Sequence, residues 1–132
     1  MNTVLDNPST VPAPGGPYSH VARVGTGAGA LLFVSGQVAI DDAGEIQGVD
    51  DMTAQSDLVM RQLGAILEAH GAGFDDIVNI RSYLTDLSRL AEYADVRKRY
   101  LTGTPPTSTT VEVSKLFKPD ALLEVEVVAA IG

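Results

Sequence analysis

The side chains best suited to acid–base chemistry are Glu124 and Glu126, two apart in the alternating stretch 122–131. On a strand that spacing sends both to one face, away from Leu123, Val125 and Val127. Two such acids are either solvated or, facing a pocket, able to act as general base on a bound water; spacing alone favours solvation. Other candidates carry less. Ser35 lies in Val34-Ser35-Gly36-Gln37 and not in a G-x-S-x-G elbow, and no histidine and acid are placed to serve it. His20 and His70 lack a partner one helical turn away and a nearby carboxylate cluster, so both read as surface or helix-end residues and no metal site is expected. The chain has no cysteine, which removes disulfides, thiolate nucleophiles and thiolate metal sites together. Asp41-Asp42-Ala43-Gly44 has turn chemistry without the ligand spacing of a calcium loop. Gly25-Thr26-Gly27-Ala28-Gly29-Ala30 satisfies G-x-G-x-x-A on paper. Its glycines run into the strand-like Leu31-Leu32-Phe33-Val34, whereas a dinucleotide site needs a helix N-terminus there, so a hairpin loop is predicted and no cofactor is expected.

The elements that must position these residues follow from periodicity. Residues 20–24 and 30–35 read as paired strands, and 38–40 and 45–47 flank a tight turn. Across 53–70 the apolar residues Val59, Leu63, Ile66 and Leu67 form a helical stripe, stopped by Gly71-Ala72-Gly73. A strand at 77–84 precedes a second helix at 88–101, with Leu90, Tyr93, Ala94 and Leu101 near one face. Pro105-Pro106 ends it, and 107–113 and 122–131 close the chain as strands. The predicted fold class is α+β, with both helices on one face of a mixed sheet. The other face then needs a partner, which favours a homo-oligomer. Residues 1–14 are expected to form an extended or mobile arm, since their prolines oppose helix and ladder alike, and 15–132 the folded domain.

A chain of 132 residues, 9 of them basic and 17 acidic, carries a net charge of −8. Folded alone it buries roughly two-thirds of its unfolded surface, enough for one core. An acidic surface repels phosphate backbones, and four Tyr, three Phe and no Trp make a poor stacking platform, so no nucleic-acid partner is expected. No apolar run approaches the ~20 residues of a membrane span, and the N-terminal stretch lacks the basic and apolar regions of a secretory signal. The expectation is a cytoplasmic protein with no membrane partner.

Three separated segments together carry a resemblance: Gly16-Pro17-Tyr18-Ser19; Phe33-Val34-Ser35-Gly36-Gln37; and Pro106-Thr107-Ser108-Thr109-Thr110-Val111 followed by Leu123-Glu124-Val125-Glu126. In order and spacing they resemble the Rid family (reactive intermediate deaminases, YjgF-type), from about residue 15 to the C-terminus. The resemblance implies a chorismate-mutase-like fold, a homotrimer with a barrel-like core, and three clefts between subunits. In such clefts a small 2-imino or enamino acid is hydrolysed to its 2-oxo acid and ammonia. Carried over by position, Tyr18 lines the cleft, Ser35 and Gly36 form its wall, Thr110 stands where cysteine is common, and Glu124 holds the attacking water.

This chain departs from the pattern at Ser108, where the family has an arginine that clamps the substrate carboxylate. A hydroxyl replaces neither its fork of donors nor its charge. Losing two charge-assisted hydrogen bonds of roughly 1.5–3 kcal/mol each weakens carboxylate binding by roughly 10²–10⁴. Two outcomes remain open. Either Arg97, on the second helix, supplies the cation from another direction, or the ligand is a small carbonyl, imine or enamine metabolite without a free acid, held by Ser108, Thr109, Thr110 and Tyr18. The corresponding functions are an imine or enamine conversion on a non-standard substrate, with Glu124 as acid or base, and a non-catalytic metabolite-sensing or protein-stabilising trimer.

Overall fold

Alternation along the last strand decides which face of the sheet is covered. In a computed structural model, which describes residues 2–132, Leu123, Val125, Val127 and Ala129 are buried while Glu124, Glu126 and Val128 between them are only half-buried. The elements run β1 (Thr3–Asp6), β2 (Val21–Gly25), β3 (Ala30–Gln37), α1 (Met52–Ala69), β4 (Ile77–Leu84), α2 (Leu90–Tyr100), β5 (Thr107–Glu112) and β6 (Leu123–Ile131). They form a six-stranded sheet in the order β1-β2-β3-β6-β4-β5. Every pair is antiparallel except β4/β5, so the sheet is mixed.

The apolar stripe of α1 (Val59, Met60, Leu63, Ile66, Leu67) lies against Leu32, Val34, Ile80, Leu84 and the inward residues of β6, and Tyr93 joins this core from α2. Burying each such side chain is worth roughly 1.5–3 kcal/mol, which is why the helical period of 53–70 is legible. Gln55 ties α1 to the start of β6: its Nε2 donates to the carbonyls of Gly48 and Asp120, both at 3.0 Å, and its Oε1 accepts from Leu122 N at 2.9 Å. Asp51 caps the helix, accepting from Ala54 N at 3.0 Å. Asp51→Ala is expected to cost about 1 kcal/mol, read as a lower urea midpoint with an unchanged slope.

Several expectations need correction. Composition argued against a ladder in residues 1–14, yet Thr3–Asp6 pairs with β2 as an edge strand. These residues precede the first proline, and Asp6 is tied to His70 at 2.8 Å. The second helix buries Tyr93 and Val96, whereas Leu90 and Ala94 stay exposed; it begins later than predicted because Leu87–Arg89 is a separate 3₁₀ turn. The strand predicted to end at Ser35 continues to Gln37 through a register shift between Val34 and Gln37. On β3 three steps separate those residues, against two on β6 from Val127 to Val125, so one residue is extra and the chain bulges at Ser35-Gly36. The glycine-rich stretch after β2 is a hairpin loop, with Gly27 at φ +89° and Thr26 N donating to Gly29 O at 3.0 Å.

Candidate active site

The bulge brings Ser35 and Gly36 to a groove of about 320 Å³ on the uncovered face, lined also by Tyr18, Phe117, Glu124 and Glu126. Gly36 is required by close approach. A Cβ there would lie 2.4 Å from Glu124 Oε2 and 2.8 Å from its Cδ, so the glutamate lies across the backbone of β3. Gly36→Ala is expected to keep the fold but displace the carboxylate. Any activity that depends on Glu124 should then fall by about 10²-fold, checked by turnover measured beside thermal melting.

Burial pushes the Glu124 carboxyl above the ordinary carboxylate range, and the neighbouring Glu126 adds to the shift. Glu126 is itself held by Tyr83, whose hydroxyl donates to Oε1 at 2.5 Å; that bond is the main cause raising the Tyr83 phenol. The Ser35 hydroxyl donates to Ser19 O at 2.6 Å, fixing the segment that carries Tyr18. Behind the bulge runs a buried relay. His20 Nε2 meets Pro12 O at 2.7 Å, and Gln37 Nε2 lies 3.2 Å from both His20 Nδ1 and Ser35 O. Gln62 Nε2 donates to Gln37 Oε1 at 3.3 Å and to Val38 O at 2.8 Å. These contacts make His20 Nδ1 the acceptor and Nε2 the donor. His20 is therefore a buried structural residue, 3% exposed, contrary to the surface or helix-end expectation; His70 does sit at the end of α1.

The remaining candidates lie elsewhere in the chain. Register pairs Ser108 with Ile80 and Thr110 with Ser82, so both point toward the helix-covered side at the β5 edge. There Arg97 Nη2 donates to Ser108 Oγ at 3.1 Å. The structure thus forms two groups, Tyr18, Ser35, Gly36 and Glu124 in the groove, and Arg97, Ser108 and Thr110 at the sheet edge. Sequence reasoning misses Phe117 and Tyr83. The only signal for Phe117 is an aromatic residue between Lys115 and Asp120; Tyr83 could be found from strand phase, since it registers opposite Glu124. Among the described residues no cluster of three or more His, Asp or Glu is placed to hold a metal ion, and no helix is long and apolar enough to cross a membrane.

Two helices on one face of a mixed six-stranded sheet, with a half-buried glutamate on the other, define an α+β protein of the chorismate-mutase-like class. The sequence profile described as Endoribonuclease L-PSP matches residues 9–131. A RutC family protein of Pyrococcus abyssi is 40% identical over 119 residues, 89% of each chain. The structure of a Rid-family protein from Yersinia pestis superposes with a TM-score of 0.87 at 31% identity, covering 98% of this chain and 100% of that one. That of E. coli TdcF with bound serine gives 0.83 at 29% identity, covering 98% of both chains. The chain belongs to the Rid/YjgF family.

Proposed function

We propose that the protein is a homotrimer that converts a small imine, enamine or related carbonyl metabolite in a cleft between copies, by hydrolytic deamination or a close variant of it. The observation that carries this reading is Glu124: a half-buried carboxyl with a raised pKa, laid over a glycine in the groove that Tyr18 lines, with no basic side chain on the groove's walls. Such a group can exchange a proton with a bound water. Glu124 takes a proton as the water oxygen bonds to the C=N carbon and returns it to the nitrogen, which gives the carbinolamine. The carbinolamine hydroxyl then gives its proton, through Glu124, to the departing nitrogen as the C–N bond breaks, leaving a carbonyl and ammonia. The ligand in E. coli TdcF, serine, indicates the size of molecule to test.

Assembly is supported by the uncovered face, where Leu5 is 67% and Phe33 46% exposed, and by the separation of the two residue groups, which a second copy could bring together. A ribonuclease reading is not favoured, because a net charge of −8 opposes RNA binding. A sensing or protein-stabilising trimer has one observation in its favour: Ser108 offers no charge of its own to a ligand. The test is ammonia release from freshly generated 2-imino acids and neutral imines, with the mass in solution measured by light scattering. Release above the spontaneous rate by a particle of three chains is expected. Binding without release supports the sensing trimer, and a monomer overturns the cleft.

A further inference from the structure

We propose that Arg97 is the carboxylate-recognising residue of this chain, seated at the head of an apolar slot between α2 and the segment leading to β5. The slot, about 210 Å³, is walled by Leu90, Tyr93, Leu101, Pro105 and Pro106, and lined also by Lys98, whose charge is paired with Asp95. The guanidinium is oriented by neutral partners only. Ser108 Oγ accepts from Nη2 at 3.1 Å, and the Tyr93 ring lies beneath it, 5.8 Å from centroid to Cζ. Tyr93 is a rigid platform, 1% exposed, with its hydroxyl engaged by Ser82 Oγ at 2.5 Å. An arginine has five N–H donors in a planar fork. Ser108 takes one and leaves an edge free for a bidentate acceptor.

The charge balance of α2 singles out the same residue. Lys98 pairs with Asp95 at 3.1 Å, and Arg89 with Asp50 at 2.9 Å and Glu92 at 3.6 Å. Among the described residues Arg97 has no such acidic partner, and Arg99, which also has none, is exposed and does not line the slot. In a chain of net charge −8, a half-buried arginine held in place and left without an acid is an anion site awaiting its anion. The apolar walls favour an acid with a short hydrocarbon body over phosphate or sulfate. This deepens the cleft reading and rests on it for the ligand's other end: Arg97 fixes the acid, and Glu124 of a neighbouring copy meets the reactive carbon.

The test is a titration of the isotopically labelled full chain with butanoate and with its neutral isostere butanamide, followed by NMR, for wild type, Arg97→Gln and Arg97→Lys. Butanoate is expected to bind wild type and to weaken by about 10- to 100-fold in Arg97→Gln, with partial recovery in Arg97→Lys. Butanamide affinity should not change, which a general loss of structure could not produce. Equal butanoate affinity in wild type and Arg97→Gln, or no butanoate binding by wild type, overturns the assignment. The cleft reading fails separately: if Arg97-dependent binding leaves the amides of Ser35 and Glu124 unmoved, the carboxylate site stands and its connection to Glu124 does not.

Discussion

Glu124→Gln is expected to lower turnover of whatever imine or enamine the protein accepts by about 10²–10⁴-fold, the range that a positioned general acid–base group contributes, with little change in binding. The glutamine keeps the shape that lies over Gly36 but cannot exchange a proton. The same substitution is expected to stabilise the fold at neutral pH, and the sign follows from the raised carboxyl. Below the unfolded-state value both states are protonated and the group contributes nothing. As pH rises, the unfolded chain ionises first, so the native state loses relative stability until it ionises too, and the penalty is then complete. The neutral amide carries no such penalty. Melting temperatures of the two proteins should therefore differ at pH 7, with the variant higher, and converge as the pH falls through the ordinary carboxylate range. Equal turnover removes Glu124 from the chemistry, and a lower melting temperature for the variant at pH 7 removes the burial argument.

Gln62→Leu should produce a large loss of stability for a substitution at a polar residue. Gln62 is 4% exposed and serves three groups: Gln37 Oε1, Val38 O and, through its own Oε1, Ile40 N at 3.3 Å. Leucine fills much of the volume and satisfies none of them. At about 1–3 kcal/mol for each buried group left unpaired, a total near 3 kcal/mol is expected, a fall in Tm of roughly 10 °C for a domain of this size. The effect should reach the groove, because Gln37 loses the partner that holds it inward behind Ser35 and Gly36. Turnover measured well below the melting temperature should drop with it. A variant that melts and reacts like wild type would show that the relay is replaced by water and positions nothing.

The fold is legible in the sequence where one physical signal dominates. The stripe of α1, the alternation of β6 and the β-branched run of β4 each bury a face against the same core, so periodicity suffices. It fails where a tertiary contact overrides composition. β1 forms because β2 offers an edge and His70 offers Asp6 a partner, neither visible in Thr3–Asp6 itself. At the site, strand phase foretells that Glu124 faces away from the core, but not that Gly36 lies under it, since the bulge that aligns them leaves no mark in hydrophobic alternation. The burial of His20 escapes sequence reading because its partners, Pro12 and Gln37, are joined to it only by folding. Arg97 stands open between solvent and site in the sequence, and only the fold brings it to Ser108.

The extra residue at Ser35-Gly36 also governs what changes of length this region can tolerate. Deleting one residue there would restore a regular ladder between β3 and β6, with Gln37 still opposite Val125 and still facing the core. Only one of Ser35 and Gly36 would then remain between Val34 and Gln37, so the groove would lose either the hydroxyl that holds Ser19 or the glycine that Glu124 lies across. Point substitution can adjust the groove by degrees. A single-codon deletion would remove one of these two features outright, so across sequences that keep this groove the spacing from Val34 to Gln37 should vary less than the residues that fill it.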